Sequence, residues 1–317
     1  MSMAPEVTHR FVEANGIRVH FAEVGAGPLV VLLHGFPESW YAWRNQFEAL
    51  ALEGYHVIAP DLRGYGQTDR PEPVEEYGIF QLTGDIVGLV KALGETGAII
   101  AGHDWGALIA SQLMLLRPDL FRAGVLLSVP YVPRRPISPS QWEQHTYPGQ
   151  IFYQAFLRSP MAETYLQADV RSSLLRGLYT LSGEAPDEDR FRPARDPGLP
   201  APVAAKRPPW ISEQDLDFLE AEFKRTGFTG GLNYYRNMDR NWALTPFLDG
   251  AKILQPALFV AGEKDPVIEF LRLEFDALES NVPKLKGKVL LPGAGHWIQQ
   301  ERPDDVNRLM IEFLRSL

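Results

Sequence analysis

The chain contains no cysteine. Disulfides, thiolate nucleophiles and cysteine-ligated metals are therefore excluded. Positive charge is also scarce: 31 Lys and Arg stand against 40 Asp and Glu, a net charge of −9. A surface of that sign repels phosphate backbones and anionic lipid, so neither nucleic acid nor membrane is expected as a partner. No apolar run approaches the length needed to span a bilayer. The opening Met1-Ser2-Met3-Ala4-Pro5-Glu6 has no basic stretch followed by an apolar one. No secretory signal is expected there, and the cytoplasm is the expected compartment. Internal repeats and low-complexity tracts are missing too.

What remains has the balance of a soluble globular protein, 45% hydrophobic and 22% charged. Its 317 residues are many for one compact domain and few for two large ones. Two alternating runs, His9–Asn15 and Ile17–Val24, meet at Asn15-Gly16 and predict a hairpin. Pro28–Leu33, His56–Ala59, Ala98–Ala101 and Ala123–Val129 are short apolar runs suited to buried strands. Between them, Glu38–Leu52, with Ser39 as N-cap, and Gln81–Leu93 have helical spacing, as does the run after residue 106. Strands alternating with helices predict an α/β fold, a mostly parallel sheet with helices on both faces. The alternation breaks over 131–246, where Ile151–Leu157, Met161–Leu166, Arg171–Tyr179 and Glu213–Lys224 read as helices and Phe191–Trp210 as a long loop. Strands resume at Ala257–Ala261 and Lys288–Leu291, and an amphipathic helix closes the chain over Pro303–Leu317. The expected organisation is a core of residues 1–130 and 247–317 with an inserted helical cap, 131–246.

Gly102-His103-Asp104-Trp105-Gly106 lies between a strand and a helix. Strand, Gly-x-nucleophile-x-Gly, helix is the layout of a nucleophile elbow. Serine is the usual middle residue, and here it is Asp104. A carboxylate is already an anion at neutral pH and can attack an electrophilic carbon without a base. The plainer reading makes Asp104 a helix N-cap in a glycine-rich turn. Its companions argue otherwise. In an elbow protein an acid and a histidine follow in chain order, beyond the ends of later strands. Asp265 follows the strand at Ala257–Ala261, and His296 follows the one at Lys288–Leu291. Glu263 is the competing acid, nearer its strand. His34-Gly35-Phe36-Pro37 follows the third strand, where one oxyanion-hole amide is expected, so the amides of Phe36 and Trp105 form the expected hole. Trp40, Phe36, Trp105 and Trp297 flank the expected site and are candidates for an apolar substrate wall, or else for core packing.

These segments, with the rest of the chain, resemble the epoxide hydrolases of the α/β-hydrolase superfamily. The likeness runs through HGFPESWYAWR (34–44), DLRGYG (61–66), GHDWG (102–106), FYQAF (152–156), GFTGGLNYYRNMDRNW (227–242), AGEKDPV (261–267) and GAGHWIQQERP (293–303). It is nearest the soluble type, without the N-terminal phosphatase domain of the mammalian enzyme. The resemblance implies two lid tyrosines that hydrogen-bond the epoxide oxygen, at Tyr153 and Tyr235. The family often has tryptophan where this chain has Tyr234, which leaves the neighbouring position in play. It also implies an apolar epoxide and water as reactants, a covalent ester on Asp104, water activation by His296 with Asp265, and a vicinal diol as product. No organic cofactor and no metal are expected, and a homodimer is allowed. Two rivals share the fold. A haloalkane dehalogenase would keep the Asp nucleophile but cradle a halide with N–H donors, whereas paired phenols suit an alkoxide. A non-catalytic ligand-binding protein could dispense with the catalytic residues, yet all are present.

Overall fold

The central strand runs pair side by side in one sheet because they are apolar enough to be buried on both faces. The computed structural model describes residues 6–195 and 205–317. Its strands are β1 (Thr8–Ala14), β2 (Ile17–Val24), β3 (Leu29–Leu33), β4 (His56–Pro60), β5 (Ala98–His103), β6 (Phe121–Leu127), β7 (Ile151–Phe152), β8 (Ala194–Arg195), β9 (Ala257–Gly262) and β10 (Leu285–Leu291). Eight of them form a sheet in the order β1-β2-β4-β3-β5-β6-β9-β10. β2 is antiparallel to β1 and to β4, and every later pair is parallel. All residues of β3, β5 and β9 are buried.

Helices cover both faces. α2 (Ile79–Ala92) and α3 (Trp105–Leu116) give Leu82, Ile86, Ile109 and Leu113 to one core. α1 (Arg44–Leu52) and the last helix, Pro303–Arg315, give Phe47, Leu50, Val306 and Met310 to the other. This two-sided packing is what parallel strands require. Their C-terminal ends share one edge, so the loops after β3, β5, β9 and β10 converge there.

The helix expected over Glu38–Leu52 is split. Trp40–Trp43 form a 3₁₀ turn, capped by Ser39, whose hydroxyl accepts the Tyr41 amide at 3.3 Å, and α1 begins only at Arg44. Between β6 and β9 the described residues form α4 (Pro139–Thr146), α5 (Tyr153–Arg158), α6 (Pro160–Ala168), α7 (Val170–Thr180), α8 (Glu213–Thr226), α9 (Thr229–Arg236) and α10 (Met238–Leu244). Ile151 and Phe152, expected as helix, pair instead with Ala194 and Arg195 as an antiparallel two-residue ladder. The rest of the long loop expected at Phe191–Trp210 lies partly outside the described residues, at 196–204. None of these elements joins the main sheet. They meet the sheet side through apolar packing and through polar contacts. Tyr41 and Arg44 both reach Asp215 at the start of α8, at 2.8 and 3.1 Å. The Tyr234 hydroxyl in α9 donates to the Arg63 carbonyl at 2.8 Å. Among the described residues no helix is long and apolar enough to cross a membrane.

Candidate active site

β5 turns into α3 within one residue, and Asp104 carries the turn at φ 52°, ψ −118°. This is strained backbone for a non-glycine residue. The turn closes only because its flanks are bare. A Cβ on Gly102 would lie 2.1 Å from the Gly106 carbonyl oxygen, and one on Gly106 would lie 2.0 Å from that of Leu33. Asp104 stands at the N-cap position but its side chain makes no capping bond. Its Oδ1 accepts the Phe36 amide at 2.9 Å instead. The loop after β3 reaches it through Gly35, where a Cβ would sit 2.4 Å from the Asp104 Cβ. The next peptide, Phe36–Pro37, is cis. The Trp105 amide opens α3, among the helix N–H groups that have no partner inside the helix.

The other carboxylate oxygen, Oδ2, faces His296 Nε2 at 3.6 Å, too long for a hydrogen bond but within ion-pair range. His296 Nδ1 meets Asp265 Oδ2 at 3.0 Å. Asp265 begins the helix Pro266–Phe270, and its Oδ1 accepts the Val267 amide at 2.9 Å, which fixes the carboxylate plane. Glu263 turns away and accepts the Gly293 amide at 3.2 Å on the surface. Burial opposes charge on Asp104, but the neighbouring His296 overcomes it and holds the carboxyl below the ordinary aspartate range. Burial likewise opposes charge on His296, and here Asp265 and Asp104 together raise the imidazole well above its ordinary value.

Tyr153, at the start of α5, and Tyr235, in α9, line one cavity of about 220 Å³ with Asp104 and Trp105. The two phenol rings lie 6.4 Å apart, and Tyr235 meets the Trp105 ring edge-on at 5.0 Å. Gln154 Nε2 donates to the Tyr153 hydroxyl at 3.0 Å. Burial, and then the Asp104 charge, pushes both phenols above their usual range, so both keep their protons at neutral pH. Tyr234 is fully buried behind Tyr235 and is committed to Arg63. Of the two adjacent tyrosines in LNYYRN, it is Tyr235 that lines the cavity.

The tryptophans divide. Trp105 lines the cavity. Phe36 offers its amide to Asp104 and its ring to Tyr235 edge-on at 5.7 Å, without itself lining the cavity. Trp40 does not line the cavity: it packs among His9, Tyr41, Phe47 and Phe218. Trp297 does not line it either. It is wholly buried beside His296, and its Nε1 donates to the Leu178 carbonyl at 3.1 Å.

Sequence reasoning missed a buried polar frame behind His296. The His296 carbonyl accepts His103 Nε2 at 2.8 Å and the Ser128 hydroxyl at 2.7 Å, and its amide donates to the Leu181 carbonyl at 2.8 Å. A carbonyl can only accept, so His103 Nε2 carries a proton. His103 Nδ1 in turn meets Glu38 at 2.8 Å. Glu301 accepts the Gly295, Trp297 and Gly183 amides at 2.9, 3.1 and 2.9 Å, bracing the same loop. The available signals were Glu38 directly after HGFP and His103 inside the elbow motif; spacing alone does not say that they meet. Among the described residues no cluster of His, Asp and Glu has the arrangement of a metal site.

Residues 28–303 match the family model described as the alpha/beta hydrolase fold. The chain is 44% identical to epoxide hydrolase A of Mycobacterium tuberculosis, with 98% of each chain covered. It is 39% identical to epoxide hydrolase 3 of Siraitia grosvenorii, over 98% of this chain and 99% of that one. Among solved structures it resembles an epoxide hydrolase from an endophytic Streptomyces with a TM-score of 0.94 at 42% identity, covering 98% of this chain and 96% of that chain. Epoxide hydrolase A from Mycobacterium thermoresistibile gives a TM-score of 0.92 at 44% identity, covering 98% and 99%. With identity at this level across nearly the whole length, with the elbow carboxylate and the paired tyrosines lining one cavity and the histidine facing that carboxylate, the chain belongs to the epoxide hydrolases of the α/β-hydrolase fold.

Proposed function

We propose that the protein hydrolyses epoxides to vicinal diols through an ester on Asp104. One observation carries the reading: the two oxygens of Asp104 have different surroundings. Oδ1 is held by the Phe36 amide, while Oδ2 faces His296 at 3.6 Å on a residue that lines the cavity. Oδ2 is then the attacking atom, and Oδ1 becomes the ester carbonyl oxygen.

Attack on an epoxide carbon breaks the C–O bond and places negative charge on the ring oxygen. Tyr153 and Tyr235 face that oxygen across the cavity as neutral phenols, and a phenol proton stabilises or quenches the alkoxide. Ester formation has an electrostatic consequence. The Asp104 charge, which raises both phenols and His296, disappears when the carboxylate is esterified. The phenols become better acids, and His296 loses one of its two carboxylate neighbours. It then gives up its proton more readily and can deprotonate a water. Asp265 keeps the ring oriented and supports the imidazolium that forms. Water attacks Cγ of Asp104, the oxyanion on Oδ1 is met by the amides of Phe36 and Trp105, and its collapse breaks the Cγ–Oδ2 bond, so that the diol leaves with Oδ2 and takes the proton that His296 drew from water. Residues 1–130 and 247–317 serve as the core and 131–246 as the lid carrying both tyrosines.

The test separates the two halves of the reaction. His296→Gln should still be alkylated and should stop there. Mass spectrometry of that variant after incubation with excess epoxide should show the protein heavier by one substrate molecule, on the peptide containing Asp104. A folded His296→Gln protein that gains no mass would remove His296 from the second step.

A further inference from the structure

β6 lies in the sheet between β5, which runs into Asp104, and β9, which runs toward Asp265. Ser128, the residue that follows β6, is tied to both sides. Its amide donates to the Val260 carbonyl of β9 at 2.9 Å. The carbonyl just before it, of Leu127, faces the Asp104 amide at 3.4 Å. Its hydroxyl donates to the His296 carbonyl at 2.7 Å.

Two features set Ser128 apart from a residue that merely ends a strand. The first is its backbone, at φ 64°, in the left-handed region that favours glycine. Among the described residues, only Asn15 and Asp104 share a positive φ without being glycine. Asn15 sits in the β1–β2 turn, where asparagine is usual, and Asp104 carries the reacting carboxylate. The second feature is its hydroxyl, which is wholly buried and spent on a carbonyl that is already supplied. That carbonyl also accepts His103 Nε2 at 2.8 Å and the Ile298 amide at 2.9 Å. An oxygen with two lone pairs thus meets three donors, and the serine is not needed to satisfy it. Glycine would hold the same angle without strain and would bury no polar atom. A strained serine bonded to the base loop is an outlier of the kind that marks function.

What the hydroxyl adds is a fixed origin for the imidazole. The His296 amide is held by Leu181, its carbonyl by the three donors, and its ring by Asp265 at Nδ1. Nε2 is thereby kept 3.6 Å from Asp104 Oδ2. Alkylation asks little of that position, because the carboxylate attacks unaided. Hydrolysis asks much more. Nε2 and Cγ must both reach one water molecule, and such an alignment is sensitive to small displacements.

We propose that Ser128 is a positioning residue for the second half of the reaction. Its bond to the His296 carbonyl sets where the base stands over the Asp104 ester, and so governs hydrolysis without governing alkylation. The inference rests on the ester reading and adds a residue to the ester's breakdown.

Ser128→Gly and Ser128→Ala both delete the bond but differ in backbone. Glycine accepts a φ of 64° freely, and alanine does not. Alkylation and hydrolysis are timed separately in single turnovers, by rapid acid quench and mass spectrometry of the intact protein. Both variants should alkylate at the wild-type rate. Both should hydrolyse the ester roughly three- to tenfold more slowly, the range of one neutral hydrogen bond, so alkylated enzyme should accumulate at steady state. Ser128→Cys, with its weaker donor, should fall between them and wild type. Tm should sort the variants differently, with Ser128→Gly above Ser128→Ala, so that hydrolysis does not track stability. If Ser128→Ala fails to fold, Ser128→Gly and Ser128→Cys carry the test. A Ser128→Gly variant that hydrolyses its ester at the wild-type rate would overturn the proposal. So would equal slowing of both steps in that variant, or hydrolysis rates that follow Tm across the series, the marks of a structural role. Failure of the ester reading looks different: no adduct forms in wild type, in the Ser128 variants or in His296→Gln under excess epoxide. That result removes the ester, and this proposal with it.

Discussion

Asp104 is held at a backbone angle that few side chains accept, and its carboxylate forgoes the helix cap that this position offers. Both features aim the carboxylate into the cavity, and the cost is met by the glycines that let β3, β5 and α3 touch. In the proposed mechanism the tyrosines opposite share one task, so neither should be indispensable. Tyr153→Phe or Tyr235→Phe should slow ester formation, and the double change should cost about 10²–10⁴-fold. Rapid-quench or fluorescence measurement of alkylation on one epoxide checks this. A double variant that alkylates at the wild-type rate would assign the phenols to packing. The pH dependence follows from the charges. Asp104 is held below the usual carboxylate range, so alkylation should stay constant as pH falls from neutral toward that range. His296 must be neutral to act as base, yet Asp265 still raises it in the ester. Hydrolysis should therefore slow as pH falls while alkylation does not. Acid quench near pH 6 should trap a larger fraction of alkylated enzyme than near pH 8; equal fractions would contradict the assigned protonation states.

At the scale of elements, the position of Tyr235 depends on a strut outside the cavity. Arg63, in the loop after β4, makes two bonds to Asp85 of α2, at 2.8 and 2.5 Å, and its carbonyl receives Tyr234. Burial pushes the Asp85 carboxyl up despite that partner, as expected of an ion pair nearly out of water. Removing one member of such a pair typically costs about 3–5 kcal/mol. Asp85→Ala should lower stability by about that amount in urea unfolding, and a loss within experimental error would show that the pair is not structurally required. α9 itself was hard to read in the sequence, because Gly230 and Gly231 weaken its helical signal. The fold explains them. A Cβ on Gly230 would come within 2.5 Å of the Gly64 carbonyl oxygen, and one on Gly231 within 2.5 Å of the Phe36 ring. Close approach between elements, invisible to local propensity, selected glycine there. The start of α4 carries a local signal: Ser138 and Gln141 form a capping box around Pro139.

Across the whole molecule, what could be read was what lies close together in the chain. The buried strands announced themselves as apolar runs, and Asp104, Asp265 and His296 each sit in a loop just after one. Strand order then brings those loops to a single edge. Long-range direction was not legible. Trp40 and Trp297 lie near the right loops but point into packing, and Glu38, 65 residues from His103, gives no sign in the sequence that the two meet. Spacing fixes the end of the sheet at which a residue sits, and tertiary packing fixes which way its side chain faces. The ester mechanism requires that the oxygen added to substrate come from Asp104 and not directly from water. A single turnover in heavy-oxygen water, with enzyme in excess over epoxide, decides it. The predicted result is unlabelled diol and one heavy oxygen in the Asp104 carboxylate, because the first diol takes its new oxygen from the protein and water repairs the carboxylate. Diol labelled fully in the first turnover, with an unlabelled Asp104 peptide, would contradict the ester mechanism.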